Sequence, residues 1–158
     1  MIRNTMIAVV GALLMSSAAA YAASGSLTDA KGDYPDIVKL AYVNAKSKVT
    51  MTMTLAGTNA QNESFYLRWG SKGTSYQVFS SPSIDLTELR YYSRTDAEPK
   101  RITCSGLVVT PISSTATRVT IPRTCLSKAP DALRFQGIAT EGTSLLDQTK
   151  VSAATKRG

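Results

Sequence analysis

Residues 48–57 (KVTMTMTLAG) alternate strictly between apolar and polar side chains, and this period of two restricts the fold more than any other feature of the chain. Successive side chains of a β-strand point to opposite faces, so the pattern predicts a strand with one buried face and one solvated face. The apolar positions are Val49, Met51, Met53 and Leu55, and the polar positions are Thr50, Thr52 and Thr54. Met51 and Met53 also form an M-x-M pair, which suits Cu(I) when further soft ligands are present. The chain has no histidine to complete such a copper site, and both methionines continue the apolar face of Val49 and Leu55. Core positions are therefore predicted for both methionines.

The same alternation recurs along the chain, in segments separated by turn residues. The segments are DIVKLAYVN, KVTMTMTLAG, SFYLRWG, TSYQVFS, IDLTELRYY, ITCSGLVVT, TRVTIP and ALRFQGIAT. About eight strands without intervening amphipathic helices indicate an all-β sandwich or barrel. Because several strands are apolar on one face and polar on the other, we predict an antiparallel β-sandwich.

The N-terminus has the pattern of a cleaved export signal. Arg3 precedes the apolar run MIAVVGALLM, and an A-x-A cleavage site follows at residues 20–22. The apolar run is shorter than the roughly 20 residues of a membrane-spanning helix, so no transmembrane anchor is expected after cleavage. We therefore predict a signal peptide at 1–22, a single β-sandwich domain at 23–150, a flexible basic tail at 151–158, and secretion to the cell exterior.

The formal charge of +7 is spread thinly along the chain. Only Lys100-Arg101 and Lys156-Arg157 are adjacent basic pairs, so no concentrated basic arm exists and no specific nucleic-acid binding is predicted. A mildly basic exported protein is attracted non-specifically to acidic envelope polymers, although the same charge also serves solubility.

Cys104 and Cys125 are the two cysteines, and in an oxidising compartment they are predicted to form a disulfide. Two thiolates without histidine rarely complete a zinc site. A symmetric hairpin that joined them would turn between residues 114 and 115, inside the turn-like stretch 111–116. A shifted register or a bond between sheets is the alternative. Closing a loop of this size stabilises by roughly 3 kcal/mol.

The absence of histidine excludes Ser-His-Asp and Cys-His catalysis. A glycosidase would need two carboxyl groups facing each other across a cleft. Six carboxylates outside the N-terminal cluster are assigned mostly to polar strand faces or loops, and they are Glu63, Asp85, Glu88, Asp96, Glu98 and Glu141. No enzymatic activity is predicted.

Three aspartates near the predicted mature N-terminus are candidate calcium ligands. Asp29, Asp33 and Asp36 lie within eight residues, with Gly32 and Pro35 between them. Calcium takes six to eight oxygen ligands, which closely spaced aspartates and loop carbonyls supply. The spacing differs from an EF-hand loop, and the alternative is that these residues only cap a turn and aid solubility.

Tyrosines and an arginine form a second candidate site. Tyr91 and Tyr92 are adjacent, so a regular strand points them to opposite faces. Exposed rings beside Arg90 would stack on sugars or hold an anionic polymer, and Tyr66 and Tyr76 complete this candidate set. The alternative is that tyrosine is a common strand residue with an amphipathic tip.

The segments GDYPDIVKL and RVTIPRTCL…ALRF resemble a group of small secreted β-sandwich proteins best known from actinobacteria. The matching positions are Asp29, Gly32-Asp33, Asp36-Ile37, Cys104–Leu107 and Arg118–Leu126, within residues 29–140. This group is similar to DOMON and family-9 carbohydrate-binding domains. The resemblance implies a sandwich, a disulfide, and extracellular binding of sugar or haem, sometimes with calcium. The usual Met/His pair for haem has no histidine here.

Together these features predict a secreted, non-enzymatic binding module whose ligand is carbohydrate or another envelope polymer. The alternative is a secreted structural or inhibitory protein that binds a secreted or surface protein. An aromatic-lined groove with convergent polar groups would favour the first function. A large exposed apolar patch on one sheet would favour the second.

Overall fold

The computed structural model describes residues 23–28, 36–57, 62–70 and 73–158. The predicted signal peptide, Asp29 and Asp33 lie outside these residues. The described chain forms strands β1 (Ala23–Thr28), β2 (Asp36–Asn44), β3 (Lys48–Ala56), β4 (Asn62–Trp69), β5 (Thr74–Ser81), β6 (Leu86–Tyr92), β7 (Lys100–Ile102), β8 (Val108–Ser113), β9 (Ala116–Pro122), β10 (Arg134–Glu141) and β11 (Ser144–Gln148). Two short 3₁₀ helices, Pro82–Ile84 and Arg123–Cys125, interrupt them.

The strands form two antiparallel sheets that pack face to face, which confirms the predicted sandwich. The first sheet has the order β1-β2-β3-β9-β8, and the second has the order β11-β10-β4-β5-β6-β7. The segment ITCSGLVVT, predicted as one strand, is divided between the two sheets. Its start belongs to β7 of the second sheet, and its end belongs to β8 of the first. The turn at Ser105-Gly106, where Gly106 has a φ of +86°, separates the two strands.

The alternating segment KVTMTMTLAG forms β3, the central strand of the first sheet. Its apolar side chains, including Met51 and Met53, are fully buried between the sheets, as predicted. Thr50, Thr52 and Thr54 are half-buried on the outer face of the sheet. Strand parity alone therefore assigned both faces correctly.

The two sheets approach closely where β10 crosses the first sheet. A Cβ atom at Gly137 would lie 2.8 Å from the terminal methyl group of Met53 and 3.5 Å from Leu40, so a larger residue would require the Met53 side chain to move. On the same strand, the ring of Phe135 stacks on Tyr42 with the ring centroids 4.3 Å apart. These contacts fix the layer that separates the two sheets.

The predicted hairpin and disulfide are both present. Ser113 pairs with Ala116, which places the turn at residues 114 and 115. Cys104 and Cys125 are bonded, with their Cα atoms 5.4 Å apart. Both cysteines lie beyond the last paired residues of the hairpin, Cys104 in the link from β7 and Cys125 in a 3₁₀ helix. The bond therefore closes the open end of the hairpin and ties the link between sheets to it.

The C-terminal segment 151–158, predicted to be a flexible tail, packs against the sandwich. Thr155 forms a bridge with Leu133, exchanging backbone hydrogen bonds of 3.0 and 2.7 Å. The fully buried Asn44 donates from its side chain to the Thr155 carbonyl oxygen at 2.7 Å. Ser152 is also buried, and its hydroxyl accepts the Phe135 N–H at 2.8 Å. Hydrogen bonds hold this segment, so apolar periodicity gave no signal for it.

None of the helices within the described ranges is long and apolar enough to span a membrane.

Candidate functional site

Strand parity separates the five residues predicted to bind a ligand. Tyr66, Arg90 and Tyr92 point outward from the second sheet, whereas Tyr76 and Tyr91 point toward the first sheet. Tyr76 is only 1% exposed, and its ring centroid lies 5.2 Å from that of Tyr91. The inclusion of Tyr76 was therefore wrong, because its position on β5 places it in the core. Tyr91 is half-buried on the same inward side.

The outward side chains of the second sheet form rows across its strands. One row contains Gln136, Tyr66, Gln77, Arg90 and Arg101, and the next contains Arg134, Arg68, Ser75 and Tyr92. We call the surface formed by these two rows the arginine face. It carries four arginines and two tyrosines but no carboxylate, and it lies on the sheet side opposite the core.

A third row provides one acid, which contacts two of the four arginines. Glu88 is 6% exposed and lies beside the arginine face on β6. One of its carboxylate oxygens accepts a 2.6 Å contact from the Arg90 guanidinium, and the other contacts Arg101. The Arg90 guanidinium also covers the ring of Phe79, 4.8 Å from its centroid. Arg90 and Arg101 are therefore held in place and partly neutralised.

Arg68 and Arg134 have no such acid. They face each other directly in the β4–β10 ladder, and no carboxylate among the described residues pairs with either. The Nε of Arg68 is buried and makes no hydrogen bond within the described part of the chain. Like charges placed directly opposite in a sheet destabilise it. This pair is therefore a local excess of positive charge that an anionic ligand would relieve.

The surroundings of this arginine pair are concave and partly aromatic. A depression of about 570 Å³ is lined by Arg68, Trp69, Gly70, Pro130, Ala132, Arg134 and Ala154. The Arg68 guanidinium lies over the Tyr66 ring, 4.5 Å from its centroid. Burial raises the pKa of the Tyr66 phenol, and proximity to Tyr92 acts in the same direction, while Arg68 and Arg90 oppose it. Tyr66 therefore remains a neutral hydrogen-bonding ring at neutral pH.

Hydrogen bonds fix the polar groups between the two tyrosines. The Tyr92 hydroxyl donates to the Gln77 amide oxygen at 2.7 Å, and the Gln77 amide nitrogen donates to the Ser64 hydroxyl at 2.8 Å. The rings of Tyr66 and Tyr92 lie 6.4 Å apart. Rings, amides and guanidinium groups thus share one ordered surface, which suits a ligand with both hydroxyl and anionic groups.

The outer face of the first sheet differs in chemistry. We call it the threonine face, and its broad depression of about 720 Å³ is lined by Ser24, Gly25, Ser26, Lys39, Ala41, Tyr42, Val43, Lys48, Thr50, Thr52 and Arg118. Arg118 donates from Nε to the Thr52 hydroxyl at 3.2 Å. This face is cationic, but its one lining aromatic, Tyr42, is a core residue that is 7% exposed.

Sequence reasoning did not assign Arg68, Arg101 or Arg134 to a site. A signal for one of these outward positions was present, because Arg68 lies two residues after Tyr66. Residues two apart in a strand share a face. Arg134 lies beside Arg68 because β10 pairs with β4. This pairing depends on the strand order of the sheet, for which the sequence gives no signal.

The predicted calcium site lies mainly outside the described residues. Asp36 is described and is 3% exposed at the start of β2. Among the described residues, no group of three or more acidic, histidine or cysteine side chains has a geometry that would hold a metal ion. Calcium binding by Asp29, Asp33 and Asp36 stays a prediction.

Comparisons with known proteins give no family assignment. No family model matches the chain, and no curated protein matches it. The resemblance to actinobacterial, DOMON-like and family-9 domains therefore stays a prediction. One matching chain comes from a solved structure concerning T-cell specificity and activation by the bacterial superantigen toxic shock syndrome toxin-1. That match has 13% identity and a TM-score of 0.40, and it covers 72% of this chain and 86% of the other. No functional conclusion follows from a likeness this remote.

Proposed function

We propose that this protein is a secreted, non-enzymatic binding module that holds an acidic polysaccharide on the arginine face. The observation that carries the proposal is the Arg68–Arg134 pair, which lines a depression and has no carboxylate partner among the described residues. A guanidinium group binds carboxylate or sulfate through charge-assisted, often bidentate hydrogen bonds.

The neighbouring groups suit the uncharged part of a sugar chain. Tyr66 and Tyr92 offer ring faces and hydroxyl groups in neighbouring rows of the same surface. Gln77 and Gln136 are buried between them, and their amides hold neighbouring groups in place. Sheet surfaces bind extended ligands without large rearrangement, because regular strands hold the side chains at fixed spacings. A polymer lying along the rows would meet positive charge at both ends of the surface, at Arg134 and Arg68 on one side and at Arg90 and Arg101 on the other, with tyrosine rings in each row.

Secretion is part of the proposal and rests on two supports. The first is the export-signal pattern at residues 1–22. The second is the Cys104–Cys125 disulfide, a bond that persists in oxidising compartments. An acidic polymer of the cell envelope or of the surroundings would be accessible to a protein in that location.

The distribution of exposed apolar residues gives less support to the alternative of a protein partner. Within the described ranges, the large exposed apolar side chains are Ile84, Val108, Ile112, Leu145 and Val151. They come from a 3₁₀ helix, from β8 in one sheet, from β11 in the other, and from the C-terminal segment. They do not form one apolar sheet face of the kind expected for a stable protein interface.

The test measures binding of mature protein to a uronate polysaccharide, a sulfated polysaccharide, chitin and cellulose at two salt concentrations. We expect binding to one or both acidic polymers that weakens as salt rises, and no binding to the neutral polymers. The Arg68→Gln/Arg134→Gln variant should bind at least tenfold more weakly, since it loses two charge-assisted contacts.

A matched control separates this site from general charge attraction. Lys39→Gln/Arg118→Gln removes the same two charges from the threonine face and should change binding less than threefold. Equal losses in both double variants would mean that net charge alone attracts the polymer. Binding to none of the polymers, or equally to the neutral ones, would overturn the proposal. Retention of a protein from a secreted fraction in place of any glycan would support the alternative.

A further inference from the structure

Glu63 is a buried carboxylate on the inward side of β4. It is 1% exposed and lies opposite Ser80 of β5 and Ala139 of β10. Neither of its carboxylate oxygens has a hydrogen-bond partner of ordinary geometry among the described residues. The Thr117 hydroxyl approaches it and favours the charged form, but burial is the larger influence and raises the pKa of Glu63. Buried carboxylates normally have hydrogen-bond partners or a counter-charge, so this one requires an explanation.

A cavity lies at the same end of the sandwich, behind two residues that adjoin this carboxylate; Glu63 itself does not line it. It has a volume of about 200 Å³ and is lined by Ser80, Ser81, Pro82, Asp85, Leu86, Thr87, Val109, Pro111 and Thr117. Ser80 is the cross-strand neighbour of Glu63, and Thr117 is the residue whose hydroxyl approaches its carboxyl. Two cavity-lining residues therefore adjoin Glu63 directly, from opposite sheets.

The charge of this cavity is opposite to that of the protein. Among the described residues, its lining contains the carboxylate of Asp85 and four hydroxyl groups but no lysine or arginine. Three other depressions, including those of the arginine and threonine faces, are each lined by two or three basic residues. In a chain of formal charge +7, this cavity is a local region of negative potential.

We propose that Glu63 binds a small hard cation that enters through this cavity, with the hydroxyl oxygens of Ser80 and Thr117 as neighbouring donors. Carboxylate and hydroxyl oxygens suit Ca²⁺, Mg²⁺, Na⁺ or K⁺ and do not suit soft metals. The cavity volume equals that of roughly six liquid waters, which is enough for the water ligands that so few protein oxygens require. A bound cation would supply the counter-charge that Glu63 lacks.

This site is distinct from the calcium site predicted at Asp29, Asp33 and Asp36, and it is independent of the arginine face. It uses one inward carboxylate and hydroxyls from both sheets, so it would link β4 and β5 to β9. Binding there should therefore stabilise the sandwich as a whole.

The test is the melting temperature of mature protein, first stripped with chelator and then supplied with CaCl₂, MgCl₂, NaCl or KCl at constant ionic strength. We expect at least one cation to raise the melting temperature, by roughly 10 °C at a concentration about 100 times its dissociation constant. Glu63→Gln should abolish the rise, because the amide supplies no charge. Thr117→Val, which removes one neighbouring oxygen, should reduce the affinity several-fold and tests the site if Glu63→Gln folds poorly.

Two control variants identify the site. Glu98→Gln removes an exposed carboxylate elsewhere and should keep the full response. Asp29→Asn/Asp33→Asn should keep it also. The proposal is overturned if no cation changes the melting temperature, or if Glu63→Gln and Thr117→Val both respond like the wild type. A response lost only in the Asp29→Asn/Asp33→Asn variant would place the cation at the N-terminal aspartates.

Discussion

Glu63 and Glu88 are both buried glutamates of the second sheet, at 1% and 6% exposure, yet their surroundings differ completely. Glu88 faces outward and contacts two arginines, Arg90 and Arg101. Glu63 faces inward, and no cation among the described residues pairs with it. The sheet side on which a carboxylate lies therefore decides whether long basic side chains from neighbouring strands reach it.

The physical reason is the difference in access to water on the two sides of the sheet. On the outer face, Arg90 and Arg101 extend along the sheet surface, bury their stems and keep their guanidinium groups near water. Between the sheets, the neighbours of Glu63 are apolar side chains and short hydroxyl residues such as Ser80 and Thr117, none of which carries a positive charge. An arginine there would have to lose its hydration, which is costly without full pairing.

The largest expected effect is on Glu88. Glu88→Gln removes the charge that holds Arg90 and Arg101, and we expect the free energy of unfolding to fall by about 2 kcal/mol. Urea unfolding at pH 7 measures this change. The control is Asp96→Asn, which breaks the more exposed ion pair with Lys100 and should cost less than about 0.5 kcal/mol. Equal costs in the two variants would show that burial of Glu88 adds nothing to its pairing.

Glu63→Gln should have the opposite sign at neutral pH. Because burial raises the pKa of Glu63 above 4.5, the folded state holds the proton more tightly than the unfolded state does. Stability from this group is complete below the unfolded pKa, and it is lost as pH rises through the folded pKa. In chelator we therefore expect wild-type stability to decline over that range and the glutamine variant to decline less, ending about 1 kcal/mol more stable at pH 7. Parallel pH profiles for the two proteins would contradict an unpartnered carboxylate.

The difference between the two glutamates could be predicted only in part from the sequence. Glu63 was assigned to a polar face or loop, which was wrong, although Phe65, Leu67 and Trp69 continue its parity into the core. Faces are assigned from the apolar or polar character of each side chain. A charged residue such as Glu63 on the inward face is therefore assigned to the wrong side. Strand existence and facing were predictable, since period two is a local property.

Features that depend on which strands are neighbours in a sheet, or pack against each other between sheets, could not be predicted from the sequence. The Arg68–Arg134 pair requires β10 to lie beside β4, although the two residues are far apart in the chain. The cavity beside Glu63 requires β9 of one sheet to cover β5 of the other. The same limit applies to β11, a short strand paired only with β10, and to the hydrogen-bonded C-terminal segment. Local patterns define faces, whereas tertiary arrangement defines sites.

A smaller effect on stability is expected at Arg68 and Arg134, the two arginines of the arginine face that have no acidic partner among the described residues. Arg134→Gln should raise the free energy of unfolding by about 0.5 kcal/mol, because it removes a like charge directly opposite Arg68. Raising the salt concentration should reduce this gain, since salt screens exposed charges. Arg118→Gln is the matched control, because Arg118 donates to Thr52 and faces no arginine across its ladder with β3. A gain of the same size in that control would indicate relief of net charge instead of a local repulsion.

The smallest expected effect is the coupling between the two glutamates. β5 lies between β4 and β6, and the two side chains point to opposite sides of the sheet without sharing a partner. Changes at independent sites add, so the Glu63→Gln/Glu88→Gln variant should equal the sum of the single variants within about 0.5 kcal/mol. Chelator-treated proteins unfolded in urea at pH 7 provide the double-mutant cycle. A coupling energy well above that limit would mean that the two faces of the second sheet are energetically coupled through β5. The side of the sheet on which each glutamate lies would then not be enough to explain why only Glu88 is paired.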